Sequence, residues 1–167
     1  MSREVSPAAF RVGWGFDAHR LDGAPPLLMG GVTVSEAVGV SATSDGDVLA
    51  HAVADAILGA CALGDLGVHF PSADPALAGA DSMLILGRTV AMARESGWQV
   101  SQVDATVILD SVRIASFREE IRAGMAGALG VAVDAVSVKA TTTDGLGFIG
   151  RGEGIAVVAV VTVSALP

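Results

Sequence analysis

At Ser44 the hydrophobic period of the sequence changes, and that change limits the folds open to the chain. Upstream, Phe10 to Phe16 reads as a strand, and Leu27 to Val34 as two short extended pieces joined at Gly30 and Gly31. From Ser44 the run TSDGDVLAHAVADAILGA sets Val48, Leu49, Ala52, Val53, Ala56, Ile57 and Ala60 at helical spacing. This predicts a helix capped by Ser44 or Asp45 and ending near Gly64. Further helices are expected over Ser82 to Ser96, with Gly97 in left-handed backbone behind it, and over Phe117 to Leu129, closed by Gly130. Val103 to Leu109, Val136 to Thr142 and Ile155 to Val163 read as strands. Strands and helices alternate without the long, regular crossovers of a doubly wound sheet. The expected fold is therefore α+β, a two-layer sandwich with a mixed sheet packed by helices.

The 167 residues contain no repeat or linker and read as a single domain, 1–167. A formal net charge of −8 excludes a phosphate-tracking nucleic-acid surface, so an anionic ligand would have to be held by metals or backbone amides. The longest apolar run, Ile155 to Val163, is too short to span a bilayer, and MSREVSPAAFRV lacks the apolar core of a leader. A cytoplasmic protein with no membrane partner is expected. Cys61, the sole cysteine, excludes an internal disulfide and reads as a buried packing residue. Only 4% of residues are aromatic, so a core rich in Val and Ala looks to partner subunits for completion.

Three constellations carry chemistry. In GWGFDAHRL, Asp17 and His19 stand two apart, and in extended backbone such a pair shares one face. They form half a metal-ligand set, or else ordinary turn chemistry. On the helix from Ser44, Asp47, His51 and Asp55 recur every four residues as a polar ridge, making His51 the natural third ligand. Asp17, His19 and His51 match the count of a catalytic zinc site with one position left for water or substrate, and either aspartate neighbour could orient the imidazole. A solvated helix face is the competing reading. His69, in GDLGVHFP, has no ligand-spaced neighbour and reads as a loop or surface residue.

The third constellation is VKATTTDGLGFIGRGEG, Val138 to Gly154. Its Gly145, Gly147 and Gly150 spell G-x-G-x-x-G, but Gly152 and Gly154 interrupt any following helix, so a dinucleotide site is excluded. What is left is a strand end with threonine hydroxyls and Asp144, able to hold phosphate oxygens and a hard cation such as Mg²⁺, or simply a glycine-rich turn. EF-hand and serine-hydrolase patterns are absent from the sequence.

Taken together, GFDAHR, LMGGV, SDGDVLAHAVADAILGACALGDLGVHFP, GADS, VDATVI and VKATTTDGLGFIGRGEGIA resemble the 2-C-methyl-D-erythritol 2,4-cyclodiphosphate synthase family of non-mevalonate isoprenoid biosynthesis. The resemblance implies a phosphorus-oxygen lyase that cyclises 4-diphosphocytidyl-2-C-methyl-D-erythritol 2-phosphate and releases CMP. It implies a homotrimer with active sites between subunits. Asp17, His19 and His51 match its zinc ligands, with Asp17 and His19 also facing the substrate. Ser44, Asp65, Gly67, Phe70 and Asp74 match positions around the methylerythritol phosphate. Thr141 and Thr142 match positions around the cytidine diphosphate, Thr142 in a transition-state role. Phe148 and Arg151 match further substrate or cavity positions, and Asp144 stands where a glutamate holds Mg²⁺ or Mn²⁺.

Some positions depart from the family pattern. Thr43 replaces a histidine beside the reacting phosphate, and Ser72 an aspartate of the substrate loop. LDSVRIA, Leu109 to Ala115, lacks a proline and carries Arg113 for a lysine, while Asp144 is one methylene shorter than the usual glutamate. Metal ligands kept beside altered substrate positions are also what a non-catalytic trimeric paralogue would show, one binding a phosphorylated isoprenoid or a protein partner.

Overall fold

The computed structural model describes residues 10–167. Its elements run β1 (Phe10–Arg20), β2 (Leu27–Met29), β3 (Val32–Ser35), α1 (Val48–Cys61), α2 (Leu66–His69), α3 (Ser82–Glu95), β4 (Trp98–Ile108), α4 (Arg118–Leu129), β5 (Val136–Thr141), α5 (Gly147–Gly150) and β6 (Gly154–Ala165). The main sheet has the order β1-β6-β4-β5. β6 is antiparallel to both β1 and β4, whereas β4 and β5 run parallel, with α4 in the crossover between them. β2 and β3 form a separate hairpin. The expected mixed sheet packed by helices is therefore present. All the elements expected from the sequence occur, and β1 and β4 are longer than their apolar runs alone suggest.

One helix organises the core. Val48, Leu49, Ala52, Val53, Ala56, Ile57 and Ala60 of α1 are all buried, as are Ala50, Ala54, Leu58 and Cys61. A helix apolar around most of its circumference needs cover on several sides. It lies against β1, β6 and β4, with α3 against another flank. The small residues make this seat close. A Cβ on Gly13 would fall 1.8 Å from the Ala56 carbonyl oxygen, and one on Gly15 2.0 Å from that of Ala52. Two strand residues advance about 6.8 Å and four helical residues about 6 Å, so strand and helix stay in step from one contact to the next.

The start of α1 differs from expectation. Asp47, not Ser44 or Asp45, caps α1, its side chain accepting from the Ala50 amide. The same carboxylate accepts from the Gly31 amide of the β2–β3 turn at 2.7 Å, a tertiary bond that the other two candidates do not make. α1 stops at Cys61, close to the expected end near Gly64, with Ala62 left-handed directly behind it (φ 58°). Gly97 and Gly130 are left-handed behind α3 and α4, as expected. Cys61 is buried, and burial pushes its thiol pKa up, consistent with a packing role.

The helices cover one face of the sheet. On the other, Phe10, Val12, Trp14 and Phe16 of β1 are 65%, 57%, 62% and 48% exposed, and Val160 of β6 joins them. Trp14 and Phe16 stack with ring centroids 6.2 Å apart. No helix among the described residues is long and apolar enough to cross a membrane.

Gly13→Ala forces the helix off the strand and is expected to destabilise the protein by about 1–3 kcal/mol or more, the range for overpacking. The check is a lower denaturation midpoint with an unchanged denaturant slope.

Candidate metal centre and substrate cleft

Alternation along β1 turns Asp17 and His19 to the same side as Gly13 and Gly15, the side facing α1. The matched steps of strand and helix then bring Asp17 level with the first turn of α1, where His51 stands. Asp17 Oδ2 lies 3.0 Å from His19 Nε2 and 3.0 Å from His51 Nδ1. These three donor atoms lie within 4.8 Å of one another, and they form the one such group among the described residues. The far nitrogen of His19, Nδ1, donates to the Ser41 carbonyl at 3.0 Å, which directs Nε2 toward Asp17. A carboxylate and two imidazoles, half-buried and converging, fit a borderline-soft divalent ion.

The electrostatics match this arrangement. Burial pushes the Asp17 carboxyl upward, but the hydrogen bonds and charge of His19 and His51 outweigh it and hold the group well below the usual carboxylate range. His19 is raised above its ordinary value, chiefly by its bond to Asp17, against the cost of burial.

The expected flanking aspartates do not orient His51. Asp47 is fully buried as the helix cap, and Asp55 accepts from the Leu66 amide at 3.1 Å, tying α2 to α1. Helical spacing sets the three on one side, but both carboxylates have backbone donors of their own. On its other edge His51 Nε2 meets Ser82 Oγ at 2.9 Å and Ser44 Oγ at 3.2 Å. Ser82 stands 31 residues from His51, out of reach of any ligand spacing along the sequence, and GADS marks it only through the family resemblance.

A cleft of about 330 Å³ opens beside the triad. Ser44, Asp65, Gly67 and Phe70 line it with Asp17, His19 and His51, and so do Thr43 and Ser72. Asp65 also caps α2, accepting from the Val68 amide. Asp74 lies outside the lining, capping the 3-10 turn Pro75–Leu77. His69 is a half-buried residue at the end of α2, its Nε2 donating to the Leu63 carbonyl.

The remaining expected residues gather elsewhere. Thr141 ends β5, Thr142 and Asp144 follow it, Phe148 lies in α5 and Arg151 just after, and none lines the cleft. The register puts Arg20, Gly154, Ile108 and Thr141 at the same end of the sheet. β1 and β5 are its opposite edges, three strand spacings or about 14 Å apart. Thr142 Oγ1 donates to Asp110 and accepts from the Asp144 amide at 3.1 Å. Asp144 is left-handed (φ 56°), a conformation that aspartate tolerates better than most residues. Arg151 is paired with Glu153 through two bonds, at 2.8 and 3.0 Å.

The chain matches the YgbB family over residues 10–164. A protein of Pseudomonas aeruginosa (strain UCBPP-PA14) named 2-C-methyl-D-erythritol 2,4-cyclodiphosphate synthase is 52% identical over 150 residues, covering 90% of this chain and 96% of the relative. One of the same name from Azotobacter vinelandii is 49% identical over 156 residues, covering 93% and 99%. Among solved structures, the bifunctional IspDF of Campylobacter jejuni superposes with a TM-score of 0.92 at 39% identity, over 94% of this chain and 42% of that one. The CDP complex of Plasmodium falciparum IspF superposes with a TM-score of 0.83 at 29% identity, over 97% and 100%.

In the metal-free protein the raised pKa of His19 stabilises the fold fully below about pH 6.5, its unfolded value, and that contribution is lost as pH rises through the folded pKa. The depressed Asp17 contributes above its unfolded value and loses that contribution as pH falls toward its folded pKa. Denaturation of metal-free protein across pH should show both limbs, and His19→Ala should remove the upper one. Uptake of a divalent metal ion below the raised pKa of His19 should also release a proton, measured as a buffer-dependent binding enthalpy.

Proposed function

Because the chain belongs to the YgbB family of 2-C-methyl-D-erythritol 2,4-cyclodiphosphate synthases, lyases of isoprenoid biosynthesis, we propose that the cleft at Asp17, His19 and His51 is its catalytic centre. The reading is carried by one observation, the convergence of those three side chains at the mouth of a cleft lined by Ser44, Asp65, Gly67 and Phe70. The relatives' common name favours the enzyme over the non-catalytic paralogue. The family match over residues 10–164 supports reading the chain as one synthase domain, and its single unpaired cysteine is in keeping with a cytoplasmic enzyme.

In this reading the substrate's 2-phosphate oxygen bonds to the β-phosphorus of its own diphosphate. The bond from that phosphorus to the bridging oxygen breaks, and CMP leaves with the oxygen. Attacker and target are both anionic, so positioning and charge stabilisation supply the catalysis, without a nucleophilic side chain. Asp17, His19 and His51 would hold Zn²⁺, and Asp144, with the diphosphate oxygens, Mg²⁺ or Mn²⁺; bound there, the ions neutralise phosphate charge. Ser44 offers a hydroxyl to the 2-phosphate, and Asp65, Gly67 and Phe70 border the methylerythritol part; Asp74, outside the cleft lining, is carried as a contact by the family resemblance alone. Thr141 and Thr142 donate to the diphosphate, Thr142 where charge grows in the transition state, while Phe148 and Arg151 border the nucleotide side. Thr43, in the cleft wall, can donate a hydrogen bond where the family's histidine can also carry charge.

The two groups of residues end opposite edge strands, which supports a homotrimer in which the cleft of one subunit meets the Thr142 loop of the next. The apolar stripe of Phe10, Val12, Trp14, Phe16 and Val160 is the surface suited to the subunit contact. The CDP complex of the Plasmodium falciparum relative supports a cytidine diphosphate moiety as part of the ligand.

Purified protein given the diphosphocytidyl substrate and Mg²⁺ should release CMP and the cyclodiphosphate. His51→Ala should lower turnover by about a hundredfold or more. No product from the unaltered protein would overturn the proposal. Trp14→Asp should convert a trimer into smaller species by light scattering and abolish turnover while leaving zinc affinity intact.

A further inference from the structure

The hydroxyl of Ser82 has a single proton and three neighbours. It is fully buried as the first residue of α3. Its Oγ donates to Asp45 Oδ1, and its amide donates to Asp45 Oδ2 at 3.1 Å, so one carboxylate grips the residue twice. Asp45 is itself fixed, because its amide donates to the Ala80 carbonyl at 3.0 Å and its Oδ1 also accepts from the Asp47 amide at 3.2 Å. With the hydroxyl proton committed to Asp45, Ser82 presents only a lone pair toward His51 Nε2, 2.9 Å away. A lone pair there calls for a proton on Nε2. Nδ1, the nitrogen facing Asp17 and His19, is thereby left as the ligand atom.

We propose that Ser82, gripped by Asp45, is a positioning residue of the metal centre: its oxygen accepts the Nε2 proton of His51 and holds Nδ1 toward the ion. The inference rests on reading Asp17, His19 and His51 as a zinc site. It also divides the labour of the two serines. Ser44 Oγ, farther from the imidazole at 3.2 Å and on the cleft wall, is released to a substrate oxygen because Ser82 takes the histidine. His19 has the matching device in the Ser41 carbonyl, so each imidazole is oriented from behind by an oxygen outside the ligand set.

The test is a zinc titration of metal-depleted protein against a chromophoric chelator, with long-range ¹H–¹⁵N spectra of the zinc-loaded histidines. Unaltered protein should bind zinc, with His51 as the Nε2–H tautomer. Ser82→Ala should lose about 10–100-fold in zinc affinity, the range for removing such a support, and its His51 signals should lose the single Nε2–H signature. Thr89→Ala is the control. It removes the other fully buried hydroxyl of α3, which bonds only within that helix, to the Ile85 carbonyl, and should lower stability without changing zinc affinity. Equal zinc affinity in Ser82→Ala and unaltered protein would sink this inference alone, leaving the zinc site standing. Equal losses in Ser82→Ala and Thr89→Ala would also overturn it, by making the effect one of helix packing. No zinc bound by unaltered protein overturns the zinc reading and this inference together. Should Ser82→Ala fail to fold, Asp45→Asn decides on the same readouts, with a smaller loss in the same direction expected.

Discussion

The seat of α1 on β1 is the contact from which the rest of the molecule follows. Two glycines on the inner face of the strand let the helix backbone approach until a methyl group would not fit between them. At that distance the two elements keep a common stride, and their relative position is set by backbone, which has few ways to adjust. Asp17, His19 and His51 meet because the stride carries beyond the glycines. A looser contact, cushioned by large side chains, would let the helix slide by a fraction of a turn and separate an imidazole from its carboxylate.

Charge is handled locally. The chain is acidic overall, yet its proposed substrate carries several negative groups. Asp17 stays ionised in a half-buried place because two imidazoles face it, and the same convergence suits a divalent cation. Long-range attraction contributes nothing favourable in a molecule of this sign, so binding depends on groups within a few ångströms of the phosphates.

Much of this was legible in the sequence, for reasons that particular residues make plain. The spacing of Asp17 and His19 has meaning only if the strand continues past Phe16, and it does, to Arg20. The period of α1 was readable because every apolar position in it is buried. Its cap was not, because SDGD offers several capping side chains and the choice falls on Asp47 through the amide of Gly31, a partner from another hairpin. Asp55 looked like a partner of His51 by spacing, and the amide of Leu66 claimed it instead. Ser82 was invisible to any local rule, since its importance arises only when α3 docks on α1. Departures such as Thr43 and Ser72 are legible as changes of side chain, and their position in the cleft wall gives those changes a place to act.

The separation of the two residue groups to opposite edges of the sheet has a genetic consequence within the proposed trimer. A chain lacking His51 keeps the threonine loop, and a chain lacking Thr142 keeps the metal ligands. Mixed in one assembly, two such defective polypeptides would place a sound half from each at some of the shared junctions, so two inactive alleles could restore each other.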